Sequence, residues 1–309
     1  MKKIVVTGAT GVIGRALIKI CINFGYEVLA VVHKSSTRFS ELENIDNCCV
    51  LPLNLDEYEH AVSEMKKHNI SVNNYDLFFH LAWIAPFGDD RNNVKLQLEN
   101  INASINAVKF AKELGCSTFI GVGSQAEYGS CQEKLSPQTP VFPETGYGIS
   151  KLCSGQLTRL YCEQLGIRHI WCRVLSVYGP YDREQTLISY AISKMINNED
   201  TEFTLCDQIW DYIYSDDAAR AILLAALEGE NGKVFVIGSG EAHPLREYIE
   251  KIAEITGYSK PIGFGKRAYN NNQVMFLQAD NEELKGLGFR CRISFDKGIK
   301  EIIKTYFRS

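Results

Sequence analysis

A chain of 309 residues, 45% of them hydrophobic and 23% charged, carries enough apolar material for a full core, arranged as one large domain or two lobes. A formal net charge of -4 and a pI of about 5.9 exclude nucleic acid and membrane surface as charge-selected partners. Apolar runs such as Ile4-Val5-Val6 and Ile222 to Leu227 are far too short to cross a bilayer, and Met1-Lys2-Lys3 leads directly into a strand pattern, so a cytoplasmic protein is expected.

The ten cysteines include one adjacent pair, Cys48 and Cys49, and otherwise lie scattered with no Cys-x-x-Cys spacing. The six histidines are equally dispersed. The thiols read as reduced, several of them as small core residues, and no metal site is expected.

Lys3 to Val6 is a β-branched run that enters Thr7-Gly8-Ala9-Thr10-Gly11-Val12-Ile13-Gly14, after which Arg15 to Asn23 shows helical apolar spacing. Strand, glycine loop and helix in that order make a phosphate-binding turn. The glycines let the backbone approach a pyrophosphate, and the helix N-terminus offers free N–H groups and the positive end of a dipole. Gly8, Thr10, Gly11, Val12, Ile13 and Gly14 are therefore expected to hold a dinucleotide. A second strand, Tyr26 to Val32, ends in His33-Lys34-Ser35-Ser36, with Arg38 just beyond. A carboxylate there would bind a ribose 2′-hydroxyl. Basic and hydroxyl groups stand in its place, which favours NADP(H) and keeps NAD(H) as the alternative, with His33 and Lys34 as ligands.

Cys49 to Leu53 reads as a third strand with Asn54 and Leu55 at its end beside an adenine, and Asp56 to Lys67 as a polar-faced helix. Leu77 to Leu81 is a fourth strand; Leu81 and Ala82 should pass close to the dinucleotide, and Trp83 either packs in the core or walls the sugar pocket. Pro86 to Asn93 is a charged loop, Val94 to Leu114 a long helix stopped by Gly115, and Thr118 to Val122 a fifth strand. That strand delivers Ser124 to its carboxyl end, where open parallel sheets bind ligands. Ser130 to Thr145, with three prolines, forms a loop over the site.

The next helix, Tyr147 to Leu165, places Tyr147 and Lys151 four positions apart on one face. A phenol with an ordinary pKa of about 10 is a poor base at neutral pH, but a fixed ammonium beside it favours the phenolate. Ser124 could then hold the substrate oxygen that gains or loses the proton. Tyr-x-x-x-Lys is short and common by itself; its weight comes from the chain around it. Ile170 to Leu175 is a sixth strand, with Leu175 beside the cofactor, and Ser176 to Pro180 turns into a second lobe. Further on, Leu187 to Ile196, Asp216 to Leu227, Leu245 to Ile255 and Asp296 to Tyr306 read as helices. Glu202 to Cys206 reads as a short strand, and Val234 to Ile237 as a return to the main sheet. The fold class expected is α/β: a Rossmann-type doubly wound parallel sheet from residues 1–175, with segments of about 208–240 returning to it, and a smaller substrate-binding lobe from 176–309.

Taken together, the Thr7 to Gly14 loop, the Ser124 segment ending in Tyr128-Gly129, Tyr147 with Lys151, Arg173 to Pro180, and Trp210 to Asp217 resemble the extended short-chain dehydrogenase/reductase family, especially its nucleotide-sugar epimerases, dehydratases and ketoreductases. The resemblance spans essentially the whole chain. It implies a redox step on a sugar carbon with Tyr147 as acid/base, Lys151 lowering its pKa and binding the nicotinamide ribose, and Ser124 polarising the carbonyl. It also implies a homodimer through the two long helices, where Leu98, Ile101, Ile105 and Val108 fall at helical spacing. Sugar 4,6-dehydratases carry an Asp and a Glu after the Ser124 position; here stand Gln125 and Ala126, which cannot transfer a proton. Glu127 follows, and on strand alternation it points away from the site. Where diphosphate-binding members place arginines, this chain has Trp210 and Asn270, with Arg267 near enough to substitute and Lys266 or Arg183 to contribute. Trp83, Gln125, Ser176, Trp210 and Arg267 are the expected substrate contacts. The function expected is NADPH-dependent reduction of a 4-keto-(6-deoxy) nucleotide sugar; a 4-epimerase is the alternative, and a non-catalytic dinucleotide-binding regulator the third reading.

Overall fold

The computed structural model describes residues 2–270 and 273–307. The first half alternates strand and helix: β1 Lys3–Thr7, α1 Val12–Asn23, β2 Glu27–Val32, α2 Ser40–Glu43, β3 Cys48–Pro52, α3 Ala61–Lys67, β4 Leu77–His80, α4 Val94–Glu113, β5 Thr118–Ser124, α5 Gly146–Leu165 and β6 Arg168–Val174. The second half is more broken: β7 Ser176–Tyr178, α6 Leu187–Ile196, β8 Ile209–Trp210, β9 Tyr212–Tyr214, α7 Ser215–Glu228, β10 Val234–Ile237, β11 His243–Pro244, α8 Leu245–Thr256, β12 Phe276–Leu277, α9 Glu282–Gly286 and α10 Phe295–Phe307.

Seven strands form one sheet in the order β10-β6-β5-β4-β1-β2-β3, and every pairing in it is parallel. Such a sheet is covered on both faces, which is why Ile4-Val5-Val6 and Leu77-Phe78-Phe79 are apolar without alternation. Ile4 and Val6 pack with α1 and α7 on one side, and Val5 and Phe78 with α4 on the other. The strand order reverses between β1 and β4, so their carboxyl ends open the crevice in which this architecture binds ligands.

A third core lies outside the sheet, where Tyr178, Ile192, Phe203, Ile249 and Ile299 bring α6, α8 and α10 together. Two small sheets accompany it, β11-β8-β12 and β7-β9. The expected strand from Glu202 to Cys206 is absent. Phe203 exchanges single bonds with Gly263 and Arg267, and Cys206 takes a φ of 58°, which breaks any ladder. The proposed interface stripe on α4 also divides: Val108 is buried against the sheet, whereas Leu98 is 53% exposed.

Trp171 on β6 lies flat in a bed of missing side chains. A Cβ on Gly121 or Gly123 of β5 would overlap its indole, and one on Gly155 of α5 would come within 2.8 Å of it. The ring therefore sets the spacing between β5 and α5, the two elements that carry Ser124 and Tyr147.

Candidate active site

Close approach of backbone to backbone builds the crevice. Gly8, at φ 69°, sits where a Cβ would stand 2.8 Å from the Ala82 nitrogen, and a Cβ on Gly14 would overlap the Gly8 carbonyl. Thr7 Oγ1 accepts the N–H groups of Leu81 and Ala82 at 3.2 Å and pairs with His80 Nδ1 at 3.0 Å, tying the ends of β1 and β4. Gly11 caps α1 with extended backbone and no side-chain partner, so the first-turn N–H groups around Val12 and Ile13 remain for an anion. These residues fit a dinucleotide pyrophosphate. They bring together Gly8, Thr10, Gly11, Val12, Ile13, Gly14, Leu81 and Ala82 as the sequence anticipates.

The basic loop after β2 differs in detail. The Lys34 ammonium forms an ion pair with Glu57, which also accepts the Asn54 N–H at 2.9 Å, while Asn54 Oδ1 accepts the Lys34 N–H at 3.1 Å. Asn54 is thus the cap of a short turn that carries a carboxylate to Lys34, and Leu55 is buried behind it. His33 Nδ1 accepts the Ser35 N–H at 3.2 Å. Cations the sequence reading passed over or only mentioned stand on the other side. Arg15 stacks on the Tyr181 ring at 4.2 Å, and Arg38 donates to the Tyr181 carbonyl at 2.7 Å. Arg15 also pairs with Glu41 at 2.8 Å, yet its Nε is buried with no partner among the described residues.

At the reacting end, Ser124 terminates β5 and opens a turn, Gln125–Glu127, in which its Oγ accepts the Ala126 N–H at 3.2 Å and meets Gln125 Oε1 at 3.2 Å. The helix α5 is capped by Thr145, and Gly148 lets its first turn lie against the Ala126 carbonyl, which a Cβ would overlap. That contact sets Tyr147 facing Ser124. Burial raises the Tyr147 pKa above its ordinary value; the Ser124 hydrogen bond and then the Arg91 guanidinium pull it back.

Lys151 sits closer to the Trp83 indole than to the phenol ring. Its ammonium is buried, donates to the Val122 carbonyl at 2.6 Å and sits 3.8 Å from the centroid of the Trp83 indole, against 5.9 Å from that of the Tyr147 ring. Burial pulls its own pKa down to about 7, so at neutral pH it is only partly charged. Trp83 is half-buried, meets Tyr147 edge to face at 6.0 Å and donates to Gln97 Oε1 at 3.1 Å.

Glu127 lies on the turn rather than on a strand. Its carboxylate accepts from the Ser124 N–H at 2.9 Å, from Trp171 Nε1 at 3.1 Å and from Arg173 Nε at 2.7 Å, fully buried. Leu175 turns its side chain into a cluster with Tyr128 and Leu135 and gives its N–H to the Ile237 carbonyl. Trp210 Nε1 donates to Ser176 Oγ at 2.8 Å, joining two of the expected substrate residues. Arg267 stands apart: it is 56% exposed, 3.6 Å from Glu202 and stacked over Tyr190, because the 203–205 segment holds its backbone at the rim of the second lobe.

The profile of the NAD dependent epimerase/dehydratase family matches residues 4–238. The chain belongs to this family. It is accordingly an enzyme of the extended short-chain dehydrogenase/reductase type, and Gly8 to Gly14, Ser124, Tyr147 and Lys151 stand within the matched region. Among relatives of this epimerase/dehydratase chain, a CDP-abequose synthase of Salmonella muenchen is 28% identical over 98% of this chain and 97% of its own. A dTDP-4-dehydro-6-deoxyglucose reductase of Escherichia coli is 26% identical over 98% and 96%. In structure, the UDP-glucose 4-epimerase of Thermotoga maritima superposes with a TM-score of 0.83 at 24% identity, covering 99% of this chain and 98% of its own. The UDP-glucose 4-epimerase of Thermus thermophilus, with NAD, gives 0.86 at 20% over 99% of both chains. At those identities the structural likeness speaks for the fold.

Proposed function

We propose that this enzyme reduces the keto group of a 4-keto-6-deoxy nucleotide sugar with NADPH. The reading is carried by the proton inventory of the site: Tyr147, Ser124 and Lys151 face the crevice, Gln125 and Ala126 offer no acid or base, and the Glu127 carboxylate is consumed by Arg173, Trp171 and the Ser124 N–H. Such a set moves one proton to one oxygen. Elimination of water needs a further acid and base. The dinucleotide supplies the hydride when bound; Tyr147 donates the proton to the carbonyl oxygen, Ser124 orients that oxygen, and Trp83 closes the wall that keeps water out. The names of the relatives from Salmonella and Escherichia coli support a deoxysugar substrate held as a nucleotide conjugate.

Arg38 is the cation we assign to a 2′-phosphate, since Lys34 is taken by Glu57 and Arg15 by Glu41. A charge-assisted contact of this kind contributes about 1.5–3 kcal/mol, so NADPH should bind about tenfold or more tighter than NADH, and Arg38→Ala should erase the difference. Equal dissociation constants in fluorescence titration would defeat the assignment. The Lys34–Glu57 pair favours the second reading, a 4-epimerase with resident NAD, because Glu57 brings a carboxylate to Lys34 just beyond the end of β2, the place from which an acid would hold a ribose hydroxyl. Mixing purified enzyme, NADPH and a 4-keto-6-deoxy nucleotide sugar separates the two: loss of nicotinamide absorbance matched by product supports reduction, and sugar interconversion without net change in absorbance supports epimerisation. Ten free cysteines suit the reducing cytoplasm in which we place it, and among the described residues no helix is long and apolar enough to cross a membrane. We also assign it a homodimer through α4 and α5.

A further inference from the structure

A turn at Asp89–Asn92, just before α4, is fastened to the helix that carries the reacting phenol. Asn92 Oδ1 accepts the Gly146 N–H at 2.9 Å, and Gly146 lacks the Cβ that would press to 3.2 Å on the Arg91 carbonyl. This fastening holds the Arg91 guanidinium carbon 4.8 Å from the centroid of the Tyr147 ring. Arg91 Nε is buried with no hydrogen-bond partner among the described residues, and no carboxylate there stands within ion-pair distance of the side chain. Arg91 as a whole is half-buried, but taking its Nε out of water without a partner is unfavourable, and here the aromatic face of Tyr147 supplies compensating electrostatics. Lys151, by contrast, spends its ammonium on the Val122 carbonyl and the Trp83 indole.

We propose that Arg91 is a positioning residue for proton transfer: stacked on Tyr147, its guanidinium stabilises the phenolate that remains once Tyr147 has given its proton to the substrate oxygen. The proposal rests on Tyr147 being the proton donor. The charged groups acting on that phenol are Arg91, which favours its ionisation, and Glu127, which opposes it, with Lys151 5.9 Å from the ring centroid and Ser124 adding a neutral hydrogen bond. Burial presses the Arg91 pKa down and Tyr147 pushes it back, as expected of a cation kept by that contact. In the direction of reduction, rate falls as pH rises through the Tyr147 pKa, because the proton to be donated is lost. Without Arg91 that alkaline limb should move up, and the plateau should fall because the product phenolate is less stable.

The ionisation can be read with no substrate present. Tyr147 is replaced by difluorotyrosine, whose ring fluorines bring the phenol into a pH range the fold tolerates, and its fluorine resonance is followed against pH in the wild-type, Arg91→Lys and Arg91→Met backgrounds. The expected result is a midpoint about one pH unit higher in Arg91→Met, with Arg91→Lys close to wild type. Coincident midpoints in wild type and Arg91→Met would overturn the proposal and leave Arg91 as packing. Should Arg91→Met not fold, Arg91→Gln, uncharged but polar, carries the same comparison. A shifted midpoint in a protein that turns over no keto sugar would sink the reductase reading alone, whereas turnover without a shift would sink the role of Arg91 alone.

Discussion

Replacing Tyr147 by phenylalanine removes the transferable proton and almost no volume, so Tyr147→Phe should keep its affinity for the dinucleotide and lose turnover by about 10²-fold or more. A near-normal rate in a stopped assay would remove Tyr147 from the chemistry. Lys151 makes a different prediction, because its folded pKa of about 7 lies below the ordinary lysine value of about 10.4. Between those two values the unfolded chain holds a proton that the folded chain has released, so stability rises with pH across that window. Without dinucleotide, the urea midpoint of the wild type should therefore gain on that of Lys151→Met between pH 7 and pH 9. Parallel midpoints would mean that the ammonium is better solvated than its burial implies.

Elements, rather than single side chains, decide how the glycine loop works. A methyl group at position 14 would meet the Gly8 carbonyl, part of a backbone that cannot swing aside, so Gly14→Ala should cost about 1–3 kcal/mol and weaken dinucleotide binding about tenfold or more. Unchanged calorimetric affinity would show that α1 can slide away from β1. The loop and the six strands that precede the second lobe were legible from sequence because their signals are local: glycine where backbone meets backbone, and unbroken β-branched runs where both faces are covered. Ser124, Tyr147 and Lys151 were legible by order along the chain. Arg91 was not, since only the Asn92 to Gly146 fastening, made between segments far apart in sequence, carries it to the phenol. Nor was the Lys34–Glu57 pair, which depends on how tightly Asn54 turns the chain. Glu202 to Cys206 misled for a related reason: its composition suits a strand, but its partners are single bonds to a loop.

At the scale of the molecule, α4 and α5 pack side by side and present Val94, Leu98, Ile149, Leu157 and Leu160 to solvent. Apolar side chains gathered on two adjacent helices are poorly accommodated by water, and a two-fold axis would cover both sets at once. The proposed homodimer should appear at micromolar concentration in light scattering, and Leu98→Glu with Leu160→Glu should convert it to a folded monomer. A wild-type monomer would refute it. Because Tyr147 and Lys151 lie on α5, such a dimer would also brace the helix from the face opposite the crevice.

The flat seat of Trp171 has a consequence for the history of the chain. One indole fills the room of three absent side chains on β5 and α5, so position 171 and positions 121, 123 and 155 cannot drift independently: a smaller ring leaves a void, and any larger residue at the glycines pries Ser124 from Tyr147. Across homologues these four positions should covary as a set, with tryptophan inherited alongside its three glycines and lost alongside them.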